Sequence, residues 1–276
     1  RFNLAGVLGR DGSDVRVLPF DTTDVQNIVS VSFMVNTSTM RDTLKESGYL
    51  GVFGGMSGPN GASSNYLGQT IDWNNSTTNV AMNMGGDYWM ATFDMAAGDT
   101  YNYKFYAGDD ADTPLINGSE QGWESGGNRV FSLDISQSAD TTLPLTYYET
   151  RDQAPFTSAQ DSVTLFFRVN VGALVQTGDF DPETEIVGIR GGAPIFGDWG
   201  TNNIRFEAED SPGENAIYNG VVRVPQDTAA AADTVNYKFV VLTDDATVKT
   251  WESTPDRPIN IPESDSTVHW VNFSDT

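Results

Sequence analysis

The chain has 276 residues, 38 of them acidic against 15 basic, and its formal net charge of -23 sets up a repulsive field toward phosphate and anionic lipid, which excludes nucleic acid and membrane surfaces as main partners. It holds no cysteine, which excludes disulfides and thiol chemistry, and no apolar run approaches the ~18 residues of a membrane span. With 38% hydrophobic and 11% aromatic residues it has the composition of a folded chain, long enough for two ordinary domains. The surplus of carboxylates, with Lys45, Lys104, Lys238 and Lys249 as the only lysines, fits a halophilic source, where salt screens self-repulsion, and equally an acidic secreted protein.

Residues 1–26 hold two short apolar stretches, one with Phe2, Leu4, Val7 and Leu8 and the other with Val15, Val17 and Phe20. Each predicts a strand. Such an arm either extends the sheet of the domain that follows or completes a sheet in a neighbouring copy. Beyond it, runs rich in Val, Ile, Phe, Tyr and Thr between Gly, Asp, Asn and Pro clusters predict strands at 28–36, 49–53, 88–94, 100–107 and 130–135. In the second half they predict strands at 162–171, 185–191, 217–224, 235–242 and 268–273. The stretch 39–47 predicts one short helix or a turn, and the Gly/Ser/Asn-rich stretch 54–68 a surface loop.

An internal repeat organises these elements. Phe33-Met34-Val35-Asn36 returns as Phe167-Arg168-Val169-Asn170, and Asn102-Tyr103-Lys104-Phe105 as Asn236-Tyr237-Lys238-Phe239, both offset by 134 residues (167 − 33 and 236 − 102). Asp72-Trp73 returns as Asp198-Trp199, and Trp123-Glu124-Ser125 with Asn128-Arg129 as Trp251-Glu252-Ser253 with Asp256-Arg257. The chain therefore divides into an arm at 1–26, a first domain at 27–149, a linker at 150–160 and a second domain at 161–276.

The order Gly197-Asp198-Trp199, Tyr237-Lys238-Phe239 and Trp251-Glu252-Ser253 through Arg257 resembles the starch-binding modules at the C-termini of amylases and glucoamylases. The likeness spans nearly all of the second domain, and the first domain repeats it more loosely. It implies an all-β protein of two tandem immunoglobulin-like, starch-binding-like antiparallel β-sandwiches behind an N-terminal strand-forming arm. It also implies a surface site for α-glucan at Trp199, Lys238 and Trp251, with Glu252 beside them and Asp256 where the family usually has Asn. In the first domain the corresponding set is Trp73, Lys104, Trp123, Glu124 and Asn128. Exposed indoles suit such a ligand because their apolar faces stack on the C–H faces of sugar rings while a charged neighbour bonds the hydroxyl edges. As lone residues, the same tryptophans would read as core aromatics.

No other chemistry is legible. Acidic runs at Asp179, Asp181, Glu183, Glu185 and at Asp109, Asp110, Asp112 lack the glycine and closing Glu of an EF-hand loop and read as solvated loops, so neither metal nor cofactor is expected. His269, the only histidine, is expected to be an ordinary strand residue. Nucleophile elbow, phosphate-cradling loop and dinucleotide fingerprint are all missing, and two sandwiches leave no chain for a catalytic domain. Sequons begin at Asn36, Asn74, Asn75, Asn117 and Asn272. A start at Arg1 fits a mature product whose export signal has been removed, or an excised fragment. The expectation drawn from all this is a non-catalytic extracellular or cell-surface structural protein. It would form a homopolymer, a pilus-like filament joined by donor-strand addition of the arm, and retain α-glucan-binding surfaces. The alternative is a pair of starch-binding modules, free or excised from a secreted amylolytic enzyme.

Overall fold

A computed structural model describes residues 2–4, 7–11, 14–18, 25–56, 71–73, 79–115, 121–200, 204–209, 216–231, 234–244 and 246–275, with side chains from residue 27 onward except that of Met56. Phe20, Asn74, Asn75, Asn117 and most of the predicted 54–68 loop lie outside the described residues. The chain forms two compact units: unit one is Arg1–Thr37 with Leu44–Glu149, and unit two is Ser38–Thr43 with Thr150–Thr276.

Unit one runs β1 (Phe2–Leu4), β2 (Val7–Asp11), β3 (Asp14–Leu18), β4 (Val25–Asn36), β5 (Tyr49–Met56), β6 (Met82–Gly85), β7 (Tyr88–Ala96), β8 (Thr100–Gly108), β9 (Arg129–Ser132), β10 (Thr141–Thr142) and β11 (Thr146–Tyr147). One sheet has the order β1-β4-β7-β6 with β10 and β11 also on β4, and the other is β5-β8-β9. Alternation along β8 buries Tyr101, Tyr103, Phe105 and Ala107 and half-exposes the residues between, the period of a sheet packed on one face. Phe33 of β4 meets Tyr103 of the opposing sheet edge-to-face with ring centroids 4.9 Å apart.

Unit two runs β12 (Ser162–Asn170), α1 (Gly172–Thr177), β13 (Glu185–Gly191), β14 (Ile204–Arg205), β15 (Glu207–Ala208), β16 (Ile217–Pro225), α2 (Gln226–Ala231), β17 (Thr234–Thr243), β18 (Val248–Trp251), β19 (Arg257–Asn260), β20 (Ser266–Thr267) and β21 (Val271–Asn272). Its two sheets are β15-β16-β12 with β20 and β21, and β14-β13-β17-β18 with β19 on β17. Leu165, Phe167 and Val169 from the first and Val187, Ile189, Phe239 and Val241 from the second are all buried in one core. Burial of each such side chain contributes roughly 1.5–3 kcal/mol. The described residues are thus nearly all β, in mostly antiparallel sheets packed as sandwiches.

The repeat read in the sequence is repeated in the pairing. In unit one, Val31 and Ser32 pair in parallel with Thr141 and Thr142, and Val35 and Asn36 with Thr146 and Tyr147. In unit two, Leu165 and Phe166 pair with Ser266 and Thr267, and Val169 and Asn170 with Val271 and Asn272. Gly54 opposite Tyr103 and Gly191 opposite Tyr237 occupy one place: a Cβ on either would come within 2.4 Å of a backbone carbonyl, that of Asn102 or of Asn236. Phe53 and Arg190, one residue earlier, therefore correspond.

The arm's first strand pairs antiparallel with its own chain, Phe2 opposite Asn27 and Leu4 opposite Val25, and so extends its own unit's sheet. No helix forms over 39–47; Met40 is buried instead and its carbonyl accepts a 2.6 Å bond from Arg168, a bond for which an intrahelical carbonyl would have to compete. The predicted strand 268–273 is cut to Val271–Asn272, followed by a tight turn at Phe273–Asp275.

Candidate glycan-binding site

The motif Trp-Glu-Ser with Arg five residues after the Glu builds a lock beneath the candidate site. In unit two Glu252 is 1% exposed. Its carboxylate accepts bonds from Arg257 Nε at 3.0 and 3.1 Å, from Arg257 Nη2 at 2.8 Å and from the Phe239 amide at 2.9 Å. Arg257 Nη2 also bonds the Asn272 carbonyl and Asp275. Burial alone would lower the Arg257 guanidinium, but bonds and charge from Glu252 and Asp275 hold it above its ordinary range. Unit one repeats the set: Glu124 is fully buried, bonds Arg129 Nε and Nη2 and the Phe105 amide, and Arg129 reaches the Tyr147 carbonyl. A buried carboxylate with its lone pairs so engaged has no surface from which to touch a sugar. Glu252 and Glu124 are accordingly corrected from glycan contacts to parts of the fold.

The remaining unit-two residues converge above this lock. Gly197, at φ +76°, turns the chain so that Trp199 follows, and Asp198 accepts the Gly200 amide at 2.6 Å to hold that turn. Trp251 ends β18 opposite Val240, and Lys238 stands opposite Arg190. The two indoles lie 6.2 Å apart with their planes tilted by 43°, and both are open to solvent, at 37% and 39% exposure. Lys238 Nζ donates to the Thr254 carbonyl at 2.6 Å and the Glu252 carbonyl at 3.4 Å, and stands 3.7 Å from exposed Asp256. It thereby pins the loop that carries Trp251. Two aromatic faces at an angle, rimmed by an ammonium and a carboxylate, can stack on two adjacent rings of a curved sugar chain.

Arg190 was missed by motif reading. Its Nη1 donates to the Trp199 carbonyl at 3.3 Å and its Nη2 to the Ala246 carbonyl at 3.2 Å, and its guanidinium lies 6.0 Å from the Trp251 ring centre. The one available signal was an Arg in an otherwise apolar β-run, Ile186-Val187-Gly188-Ile189-Arg190.

Unit one places its set differently. Trp123 is half-buried, with its ring edge-to-face against Phe53 at 5.3 Å and Tyr106 at 5.1 Å. Trp73 is exposed and lies over Gly55, where an added Cβ would come within 3.1 Å of its indole nitrogen. Lys104 donates to the Glu124 carbonyl, and Asn128 is exposed.

Among the described residues no cluster of three or more His, Cys, Asp or Glu is arranged to hold a metal ion. The acidic loop spends its oxygens on itself: the Glu183 amide and Thr184 hydroxyl bond Asp181 and hold its carboxyl below the ordinary range, and Lys249 pairs with Glu185. His269 stands beside Trp270, outside any strand. No described helix is long and apolar enough to cross a membrane.

The exposed indole pair, Trp251 at the end of β18 and Trp199 on the turn after Gly197, is a surface that the apolar face of a sugar ring fits. Residues 170–271, within unit two, match the family model described as a starch binding domain. Among solved structures the chain is similar to the glycoside hydrolase family 15 glucoamylase from Hypocrea jecorina, at 21% identity and a TM-score of 0.32 over 54% of this chain and 24% of that one. It is also similar to the family 20 CBM of the maltotetraose-forming amylase from Pseudomonas Saccharophila STB07, at 15% identity and a TM-score of 0.29 over 40% of this chain and 100% of that one. The chain thus spans about a quarter of the glucoamylase's length. No curated protein sequence matches it.

Proposed function

We propose that this protein binds α-glucan, without catalysis, through Trp199, Trp251 and Lys238 of unit two, with Asp256 at the rim. The observation that carries the reading is the exposed indole pair, 6.2 Å apart, inside the segment that matches the starch-binding domain. Leaving two large apolar rings in water has no stabilising purpose for the fold, whereas a sugar face restores what they lose. Unit one, with Trp123 packed against its neighbours, is a weaker partner at Trp73. The protein works outside the cell, free or as part of a secreted amylolytic enzyme.

Trp251→Ala in the full chain should abolish retardation on an amylose affinity gel while leaving the melting temperature within a few degrees of wild type, since the ring is surface-exposed. A wild-type chain that migrates unretarded in amylose would refute the reading.

A second reading, self-association through the arm, draws on β2 and β3, which among the described residues pair only with each other and leave two edges for strand addition. Removing residues 1–26 should then convert filaments seen by negative-stain electron microscopy into monomers; filaments that survive the deletion would exclude the arm.

A further inference from the structure

We propose that Arg190 is the positioning residue of the unit-two site: it sets the separation and tilt of Trp199 and Trp251 by holding their two supporting segments against one guanidinium. The proposal rests on the glycan reading for its consequence, but its geometric part stands without it.

Among the described residues, Arg190 is a buried cation without a carboxylate partner. Arg129 pairs with Glu124, Arg168 with Glu209 and Arg257 with Glu252, each within 2.8 Å. Arg190 is as buried as Arg129, both at 7% exposure, yet among the described residues no carboxylate stands within ion-pair distance of it. Its Nε is buried without a hydrogen-bond partner. Burying a guanidinium in this way is costly, and a fold that needed only packing here would be better served by an apolar side chain. Unit one makes that choice: Phe53, at the same register, opposite Lys104 and next to the tight glycine, packs on Trp123.

What Arg190 does instead is fan out to the site. One nitrogen is bonded to the carbonyl of Trp199 itself, another to the carbonyl of Ala246 in the β17–β18 turn that leads to Trp251, and the cation faces the Trp251 ring. Ala246 sits at φ +67°, so that turn is held in a left-handed conformation a non-glycine residue seldom adopts. A planar fork with several fixed donors can span two carbonyls and an indole face at once; neither lysine nor an apolar side chain can. With the rings fixed in advance, a sugar chain does not have to order them on binding.

The test uses the full chain with Arg190→Leu and Arg190→Lys. The indole–indole exciton couplet in circular dichroism reports the ring pair without any ligand, with Trp251→Phe as the pair-free reference. Isothermal titration with β-cyclodextrin reports the site. Arg190→Leu should lose the couplet to the reference level and bind β-cyclodextrin about tenfold more weakly, and Arg190→Lys, which keeps the charge, should recover little of either. An unchanged couplet and affinity in Arg190→Leu, or in Arg190→Lys if the leucine variant does not fold, would overturn the proposal. So would a wild-type couplet no larger than that of the reference. If wild type shows the couplet but does not bind β-cyclodextrin, the glycan reading fails while the comparison of couplets still decides what Arg190 does.

Discussion

Trp123 and Trp251 occupy the same place in the two units, each one residue before a buried Glu that is locked to an Arg and to the amide of the central strand. Trp251 is left open beside Trp199, over a buried cation, while Trp123 is closed in by Phe53 and Tyr106. The lock is common to both units because the fold requires it. The surface above it differs because nothing in the fold fixes it: Phe53 and Tyr106, which close over Trp123, stand where unit two has Arg190 and Val240.

The comparison breaks most sharply at the lock. Glu124→Ala and Glu252→Ala each leave a buried guanidinium unpaired and should each cost about 3–5 kcal/mol, lowering only the calorimetric transition of the unit concerned. The loss should be larger for Glu124, whose Arg129 is 7% exposed against 14% for Arg257. Equal loss in both transitions from either variant would show that the units do not unfold independently.

Next come the tryptophans. Trp123→Ala should destabilise unit one by about 2–3 kcal/mol through lost ring packing and leave amylose retardation in place. This is the reverse of the pattern expected for Trp251→Ala. If both variants lost binding and neither lost stability, the two sites would be equivalent and the difference in burial without consequence.

Alkaline pH should separate the units less strongly. Burial, reinforced by Tyr106, pushes the Tyr49 phenol up from 10.0 to about 12, and burial raises Tyr106 and Tyr148 as well; in unit two it raises Tyr218 and Tyr237. A phenol raised in the folded state stabilises it fully below the unfolded value. That contribution drains away as pH rises through the folded value. Unit one, in which Tyr49, Tyr106 and Tyr148 are so raised, should therefore lose stability between pH 10 and 12 ahead of unit two, by denaturant titration at each pH. The smallest effect is salt: with a net charge of -23, raising sodium chloride from low to molar levels should stabilise both units by about 1 kcal/mol, read as a rise in both transitions.

Much of this was legible in the sequence because it is periodic or repeated. Alternation of apolar and polar residues marks β8 and β17, and the order of Trp, Tyr-Lys-Phe and Trp-Glu-Ser marks both units and their register. Burial of Glu252, the helices α1 and α2 and the short strands β18 and β19 were not. Their residues are individually neutral in preference, and what settles them is the neighbour they meet in space. Glu252 is polar by type and reads as a surface group until Arg257 and the Phe239 amide are seen to enclose it.

The all-β character, the recurrence of short motifs along the chain and the starch-binding order of Trp199, Lys238 and Trp251 were all readable in the sequence, because strand periodicity and repeated motifs are local properties of the chain. Which tryptophans face water, which carboxylates are structural and that Arg190 meets both the Trp199 carbonyl and the Trp251 ring were settled by packing in three dimensions. Exposure and cation–carbonyl contact depend on residues brought together from β13, the Trp199 turn and the β17–β18 turn, up to 56 positions apart in the chain.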